Sequence, residues 1–212
     1  MPDPKNEQFP DKAHTDPPPT KSENEGLKFE APLLGGNLSG GIQELEPGVF
    51  LGNADYQFKN GDFLGSQFRL NTGTDFAFEQ YGLNGRFVIG KDGNGAAAFR
   101  VDGPANTATF DTKLKFNEDY SLNGDWTRTA AGQIYGADGT FKLGKDGNGT
   151  ANFRVDEPAN TAKFDTKLKF NEDYSLNGDW TRTAAGQIYG ADGTFKLGKD
   201  GKIGRASCRE RV

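Results

Sequence analysis

Apolar and polar residues alternate with a period of two along most of this chain. Between Phe164 and Phe170 one parity holds Phe, Thr, Leu and Phe, and the other holds Asp, Lys and Lys. Residues 151–156 alternate in the same way. Successive side chains of a β-strand point to opposite faces of the sheet, so the pattern predicts strands with an apolar face and a charged face. The predicted fold class is all-β.

The sequence also repeats itself with a period of 54 residues. Residues 90–143 and 144–197 align without a gap. They differ only at Ala96/Thr150, Ala98/Asn152, Gly103/Glu157 and Thr109/Lys163. A degenerate first unit is predicted at residues 36–89, and residues 198–212 hold a truncated unit and an unrelated tail. Either a recent tandem duplication or a read-assembly error that copied one unit explains the near-identity.

Turn residues divide each unit into short predicted strands. Gly144–Gly149 contains Asp-Gly and Asn-Gly between two alternating runs, which favours a hairpin. Gly178 is predicted to mark a bulge and Ala191–Gly193 a turn, leaving strands of five to eight residues. Four to five strands per unit fit a closed barrel or a sandwich. We favour an antiparallel up-and-down barrel of about eight strands, with the aromatic face inside.

The two ends of the chain differ in composition from the repeats. Residues 1–35 carry seven of the ten prolines and few large apolar side chains, so we predict a disordered Pro- and charge-rich linker. No secretory signal is visible there, and Met1 is also compatible with an internal or misassigned start. Residues 203–212 resemble, codon by codon, the translation of a common short-read sequencing adapter; a genuine basic tail is the alternative. Cys208, the only cysteine, then carries no information on redox compartment.

Composition restricts the function classes. The net charge of −5 argues against nucleic acid as a partner. His14 is the only histidine, which disfavours histidine-based catalysis, metal binding and haem ligation. No apolar run is long enough for a membrane-spanning helix. The charged strand face and the short predicted strands also argue against a lipid-facing barrel. We therefore predict a non-enzymatic protein with no cofactor, no metal site and no membrane span.

Three groups of residues are candidates for a metal, catalytic or ligand-stacking site. Turn formation or packing explains each of them without a ligand. The Lys-Asp-Gly-Asn-Gly turns lack the downstream Glu of a calcium loop. The Asn-Glu-Asp clusters fall between strands, where such residues serve turns rather than paired-carboxylate chemistry. The aromatic residues have the parity of the apolar face, so packing is favoured over stacking on a sugar. The candidates are Asp92, Asn94, Asp146 and Asn148; residues 117–119 and 171–173; and Trp126, Trp180, Tyr135 and Tyr189.

The order of elements resembles a known family. Residues 148–156 read Asn-Gly-Thr-Ala-Asn-Phe-Arg-Val-Asp, residues 160–162 Asn-Thr-Ala, and residues 186–195 Gly-Gln-Ile-Tyr-Gly-Ala-Asp-Gly-Thr-Phe. Together with Leu176-Asn177-Gly178, these segments are similar to the C-terminal barrel module of transferrin-binding protein B-like bacterial surface lipoproteins. The resemblance covers roughly residues 81–198. The family's Pro and Glu in the Tyr-Gly loop are missing here, and no lipidated cysteine precedes the linker.

The resemblance carries expectations of fold, place and partner. It implies an eight-stranded barrel, exported to the outer membrane surface or the periplasm of a Gram-negative bacterium and lipid-tethered in the intact protein. It implies a host protein or an iron-carrying ligand as the partner, with no ligand-contacting residue that can be transferred. The leading hypothesis is a binding module. The alternative is a structural repeat that spaces the domains of a surface adhesin.

Overall fold

The protein is a single antiparallel β-sheet. The structure, a computed structural model, describes residues 26–73, 76–197 and 202–211; for Leu197, Lys202 and Ile203 only the backbone is described. Fourteen strands follow one another in the sheet in chain order, each hydrogen-bonded to its neighbours in sequence. The strands are β1 (Leu27–Leu33), β2 (Gly36–Glu46), β3 (Val49–Gln57), β4 (Phe63–Asn71), β5 (Ala77–Ile89), β6 (Gly93–Asp102), β7 (Thr107–Lys115), β8 (Ser121–Thr129), β9 (Gly132–Leu143), β10 (Gly147–Asp156), β11 (Thr161–Lys169), β12 (Ser175–Thr183), β13 (Gly186–Leu197) and β14 (Lys202–Arg211).

The all-β class and the up-and-down order are confirmed, whereas the closed barrel is not formed. The sheet is open, and β1 and β14 are its two edges. Within the described ranges there is no helix that could cross a membrane. Residues 90–143 and 144–197 each supply four strands, and the second set begins and ends 54 positions after the first.

The register of the strands gives a physical reason why the sheet stays open. A row across the sheet from Ala98 in β6 passes through three partners and reaches Arg154 in β10. The counterpart of Ala98 in the second unit is Asn152, so the register advances by only two residues over four strands. An eight-stranded barrel of ordinary tilt needs about one residue per strand. The stagger in this sheet is about half a residue per strand, which is half of what such a barrel needs.

Register partners divide the side chains into an apolar face and a polar face. Phe164 of β11 lies opposite Phe153 of β10 and Trp180 of β12, and its neighbour Asp165 points to the other side. The predicted separation of Phe164 and Leu168 from Lys167 and Lys169 is thus confirmed. The apolar face carries aromatic residues on nearly every strand: Phe29, Phe50, Tyr56, Phe68, Phe78, Tyr81, Phe87, Phe99, Phe110, Trp126, Tyr135, Phe141, Phe153, Phe164, Trp180, Tyr189 and Phe195.

Rings on the apolar face lie over glycines of adjacent strands. The Phe141 ring occupies the position that a Cβ on Gly149 would take, and the Phe87 ring does the same at Gly95. Phe68 covers Gly52 in β3 in this way. A ring laid over a glycine buries apolar area within one layer, as aromatic side chains do beside glycines in other sheets.

The single layer encloses no core. Val49 is the one hydrophobic residue in the described part of the chain that is buried, at 9% exposure. Phe164 and Leu176 on the apolar face are 39% and 45% exposed. The expectation that the aromatic face packs inside a barrel is therefore wrong for this sheet, because nothing in the described structure covers that face.

The strands are longer than predicted, because several glycines continue a strand instead of ending it. Strands β2 to β14 run for nine to thirteen residues. Ala191–Gly193 lies within β13 rather than in a turn, and Gly178 sits in an unbroken ladder rather than at a bulge. The Gly144 hairpin is confirmed, with φ of 64° at Gly144 between β9 and β10. Strand length therefore no longer supports the argument made from it against a bilayer crossing.

The sheet extends further at both ends than the sequence predicts. β1 lies inside the predicted linker, because Leu27, Phe29 and Leu33 alternate with charged residues and Pro32 is tolerated on an edge strand. The rest of that linker, residues 1–25, lies outside the described residues. The adapter-like tail forms β14 against β13. An edge strand offers unpaired backbone groups to any extended segment, whatever its side chains.

Candidate binding surface

The Asn-Glu-Asp clusters build turns, as predicted. The Asn117 side-chain oxygen accepts the backbone N–H groups of Asp119 and Tyr120 at 2.8 and 3.0 Å. Asn171 makes the same two bonds in the second unit. Asp119 pairs with Lys142 at 3.0 Å, so its carboxylate is already neutralised.

The calcium-loop candidates do not come together as a ligand set. Asp92 and Asp146 lie in the turns before β6 and β10, whereas Asn94 and Asn148 lie within those strands. In the described part of the chain, no three acidic, histidine or cysteine side chains form a metal-binding group. His14 lies outside the described residues, and Cys208 is exposed in β14.

The aromatic candidates lie on the apolar face. Trp126 lies opposite Phe110 and Tyr135, and its indole N–H donates to Gln133 at 2.9 Å. Trp180 repeats this arrangement with Gln187 at 3.1 Å. The indole N–H groups are thus bound by the sheet's own side chains, but the predicted packing of these rings in a core is not formed, because no second layer among the described residues covers the face.

Two equivalent grooves on the polar face are the surface features that repeat with the 54-residue unit. The first has a volume of about 250 Å³ and the second about 360 Å³. Both are open, shallow and formed where the third strand of a unit begins. The first groove is lined by Asn94, Lys113, Leu114, Lys115, Asn117, Glu118, Ser121, Asn123 and Thr140, and the second by Asn148, Thr150, Lys167, Leu168, Lys169, Asn171, Glu172, Ser175, Asn177 and Thr194.

Each groove presents two lysines that no acid neutralises. Among the described residues, no carboxylate lies within ion-pair distance of Lys113, Lys115, Lys167 or Lys169. All four are exposed, and their ammonium groups are free to bind an anion. Amide and hydroxyl groups beside them add neutral hydrogen-bonding partners.

The two grooves adjoin and form one polar strip. Lys115 of the first groove and Lys167 of the second lie in a single row across the sheet, through Ser121, Thr140 and Thr150. Ser121 and Thr140 share a hydrogen bond of 2.8 Å. Four strand spacings of about 4.8 Å separate the two lysines by roughly 19 Å. The strip therefore suits an extended ligand with acidic groups better than a compact one.

Acidic side chains gather next to the grooves on the same face. Asp111 lies directly opposite Asp125, and Asp165 opposite Asp179. Asp125 also pairs with Arg154 at 3.2 Å, across the gap left by Gly136 between them. In each unit the facing aspartates therefore lie two residues along the strand from the first groove lysine, Lys113 or Lys167.

A larger depression near the N-terminal edge lacks this repetition. It has a volume of about 680 Å³ and is bordered by β1 to β4, with Lys28, Glu30 and Asn53 among its lining residues. It is lined by one lysine and one glutamate, whereas each groove has two lysines and one glutamate.

Comparison of the chain with protein-family models, curated proteins and solved structures gives no match. The candidate surface is therefore characterised by its own geometry and charge.

Sequence reasoning missed the grooves although their signal is visible. Residues 164–170 read Phe-Asp-Thr-Lys-Leu-Lys-Phe, which places Lys167 and Lys169 side by side on one face. These lysines were interpreted as part of a solvated face with balancing acids. Only the register shows that Lys115 shares a row with Lys167.

Proposed function

We propose that this protein is a non-enzymatic binding module whose polar strip takes up an acidic ligand. The observation that carries the proposal is the presence of two adjoining grooves lined by equivalent residues, apart from Thr150 in the second, each with two lysines that form no ion pair with any described residue. The resemblance stated above supports an exported module at a bacterial cell surface or in the periplasm, lipid-tethered in the intact protein, and a host protein or iron-carrying protein as the ligand. No catalytic constellation is needed for this role.

The direct test measures binding of the purified protein to acidic serum proteins, with and without bound iron, by surface plasmon resonance. The expected result is saturable binding that weakens as salt rises, because exposed lysines act through screened charge. Changing either Lys167 or Lys169 to glutamine should slow association by roughly two- to tenfold.

The matched control is Lys142→Gln. Lys142 is on the same face and carries the same charge, but Asp119 already pairs with it. Its loss should leave binding nearly unchanged. Equal losses in the two variants would show that only net charge matters, and no binding to any serum protein would contradict the proposal.

A spacer role is the second candidate, and the repetition of strand bounds and register favours it. Each further unit adds four strands and about 19 Å of width to the same sheet. Long-read sequencing of the locus distinguishes the two roles. Many tandem units would favour a spacer, whereas one or two units favour a binding module.

A further inference from the structure

The apolar face is too large to remain uncovered on a single molecule. Fourteen strands have thirteen spacings of about 4.8 Å, and with strands about 30 Å long the face measures roughly 1,900 Å². The largest apolar patch on a typical monomer is about 300–600 Å². A stable interface needs only about 800 Å² from each partner. The area therefore exceeds what a dimer needs.

The distribution of polar groups on this face is that of an interface. Its centre contains aromatic, alanine and glycine residues. From β3 to β12 its charged residues are Arg128 and Arg182, and both lie near strand ends. An apolar centre with charges at the rim is the usual composition of a protein–protein contact.

Two other ways of covering the face fit the structure less well. Closing the sheet around its own apolar face would need about twice the stagger that the register provides. Insertion into a bilayer would place the open edge of β1 and the charged polar face in hydrocarbon, where unpaired backbone groups and charges are costly. A second copy covers the face without either cost.

We propose that two copies of this chain pack their apolar faces together as a two-layer β-sandwich. Every copy carries the same face, so a two-fold axis makes the contact self-complementary and closes it at two. The layers would lie about 10 Å apart, with the rings of one sheet between those of the other. The polar strips then point outward on opposite sides of the dimer.

The first test uses tryptophan fluorescence of the unmodified full chain. Its only two tryptophans, Trp126 and Trp180, are both on the apolar face. At high protein concentration acrylamide should quench them weakly, and dilution should increase quenching in step with a halving of the mass seen by sedimentation. A constant monomer mass with readily quenched tryptophans would overturn the proposal.

Adjacent residues on opposite faces provide a matched pair of variants. Phe110→Lys adds a charge to the centre of the apolar face, whereas Thr109→Lys adds the same charge to the polar face. The chain tolerates lysine at the second position, because the counterpart of Thr109 in the next unit is Lys163. Phe110→Lys should raise the dimer dissociation constant at least about tenfold, and Thr109→Lys should leave it unchanged.

Other outcomes identify other partners. Dimers whose tryptophans remain fully quenchable would indicate edge-to-edge pairing and contradict the proposal. Monomers whose tryptophans become shielded only with neutral lipid vesicles would show a membrane surface as the partner instead. If Phe110→Lys loses the far-ultraviolet signal of a sheet, the dilution experiment on the unmodified chain still decides the question.

Discussion

On the apolar face, an aromatic ring of one strand covers a glycine of the adjacent strand. At Gly149 the ring of Phe141 fills the space where a side chain would begin, and Gly95 with Phe87 repeats this one unit earlier. The ring covers backbone that would otherwise face solvent, and the pair buries apolar area without a second layer. Glycine is kept at these positions for lack of space.

The pair predicts a large effect of a small substitution. Gly149→Ala should reduce the free energy of unfolding by about 1–3 kcal/mol, because the new methyl group displaces the Phe141 ring. Gly85→Ala is the matched control on the same face, since its new Cβ would meet the nearest atom only at 3.4 Å. Urea unfolding followed by tryptophan fluorescence measures both. Equal losses of stability in the two variants would mean that the position of the Phe141 ring does not require a glycine at position 149.

Opposed acids on the polar face predict a stabilising substitution. Asp111 lies directly across from Asp125, and like charges in that position repel. Asp111→Asn should therefore raise the free energy of unfolding by roughly 0.2–1 kcal/mol, with a smaller gain at high salt. Comparison of urea midpoints at low and high salt checks this. A loss of stability that does not depend on salt would contradict it.

At the residue scale the sequence predicts the faces but not the spacing between charges. The parity of Phe164 and Lys167 assigns them to opposite faces directly. The relation between Lys115 and Lys167 depends on the stagger of four successive ladders, which turn lengths and register set together. A single strand's pattern holds no information on that stagger.

At the element scale, each strand is supported only by its two neighbours. Equivalent strands of the two units, such as β6 and β10, make the same pairings 54 positions apart. Stability in such arrays is approximately a sum of local and nearest-neighbour contributions. Whole units are therefore exchangeable, whereas fractions of a unit are not.

Deletion of residues 144–197 tests this exchangeability. The shortened chain joins Leu143 to Gly198, which repeats the existing Leu143–Gly144 junction. We expect a folded sheet with a urea m-value reduced roughly in proportion to the four strands lost, because m follows the surface exposed on unfolding. Circular dichroism with urea titration measures both.

A half-unit deletion is the control for that experiment. Removal of residues 144–170 makes β9 and β12 new neighbours. β12 has the sequence of β8, which pairs with the opposite edge of β9 in the intact sheet, so the new contact uses the wrong edge of β9. This variant should be clearly less stable than the one that lacks a whole unit. If the half-unit deletion is as stable as the whole-unit deletion, specific pairing between neighbours does not determine stability.

Strand identity was readable from the sequence, and strand ends were not. The alternation in residues 151–156 and 164–170 correctly predicted β10 and β11. Gly193 was assigned to a turn, although it continues β13 opposite Leu176. Glycine generally favours turns. In this sheet, a side chain of the adjacent strand can cover the glycine and make a position within a strand favourable.

At the scale of the whole molecule, the open edges should set the order of unfolding. β1 has a neighbour on one side only, whereas β6 to β9 are held on both sides far from an edge. Hydrogen exchange should therefore be fastest in β1 and slow progressively towards the middle strands, because opening begins at frayed ends. Equal protection from β2 to β13 would show that the sheet opens as one cooperative unit.

Whether the sheet closes into a barrel cannot be predicted from the sequence pattern. Apolar-in and polar-out alternation is the same in a barrel, a sandwich and an open sheet, since all three need one apolar face. The difference depends on accumulated stagger, which is two residues per unit here. The candidate grooves were missed for the same reason.

That small advance of register has a directional consequence for anything bound to the strip. Each added unit displaces the equivalent groove by about 19 Å sideways and by about 6.6 Å along the strands. A line through corresponding lysines is thus inclined at roughly 20° to the hydrogen-bond direction. A long, straight ligand that contacts the same residues in every unit must therefore cross the strands obliquely. It must incline in the direction in which the register advances, because a ligand inclined the opposite way would not meet equivalent lysines.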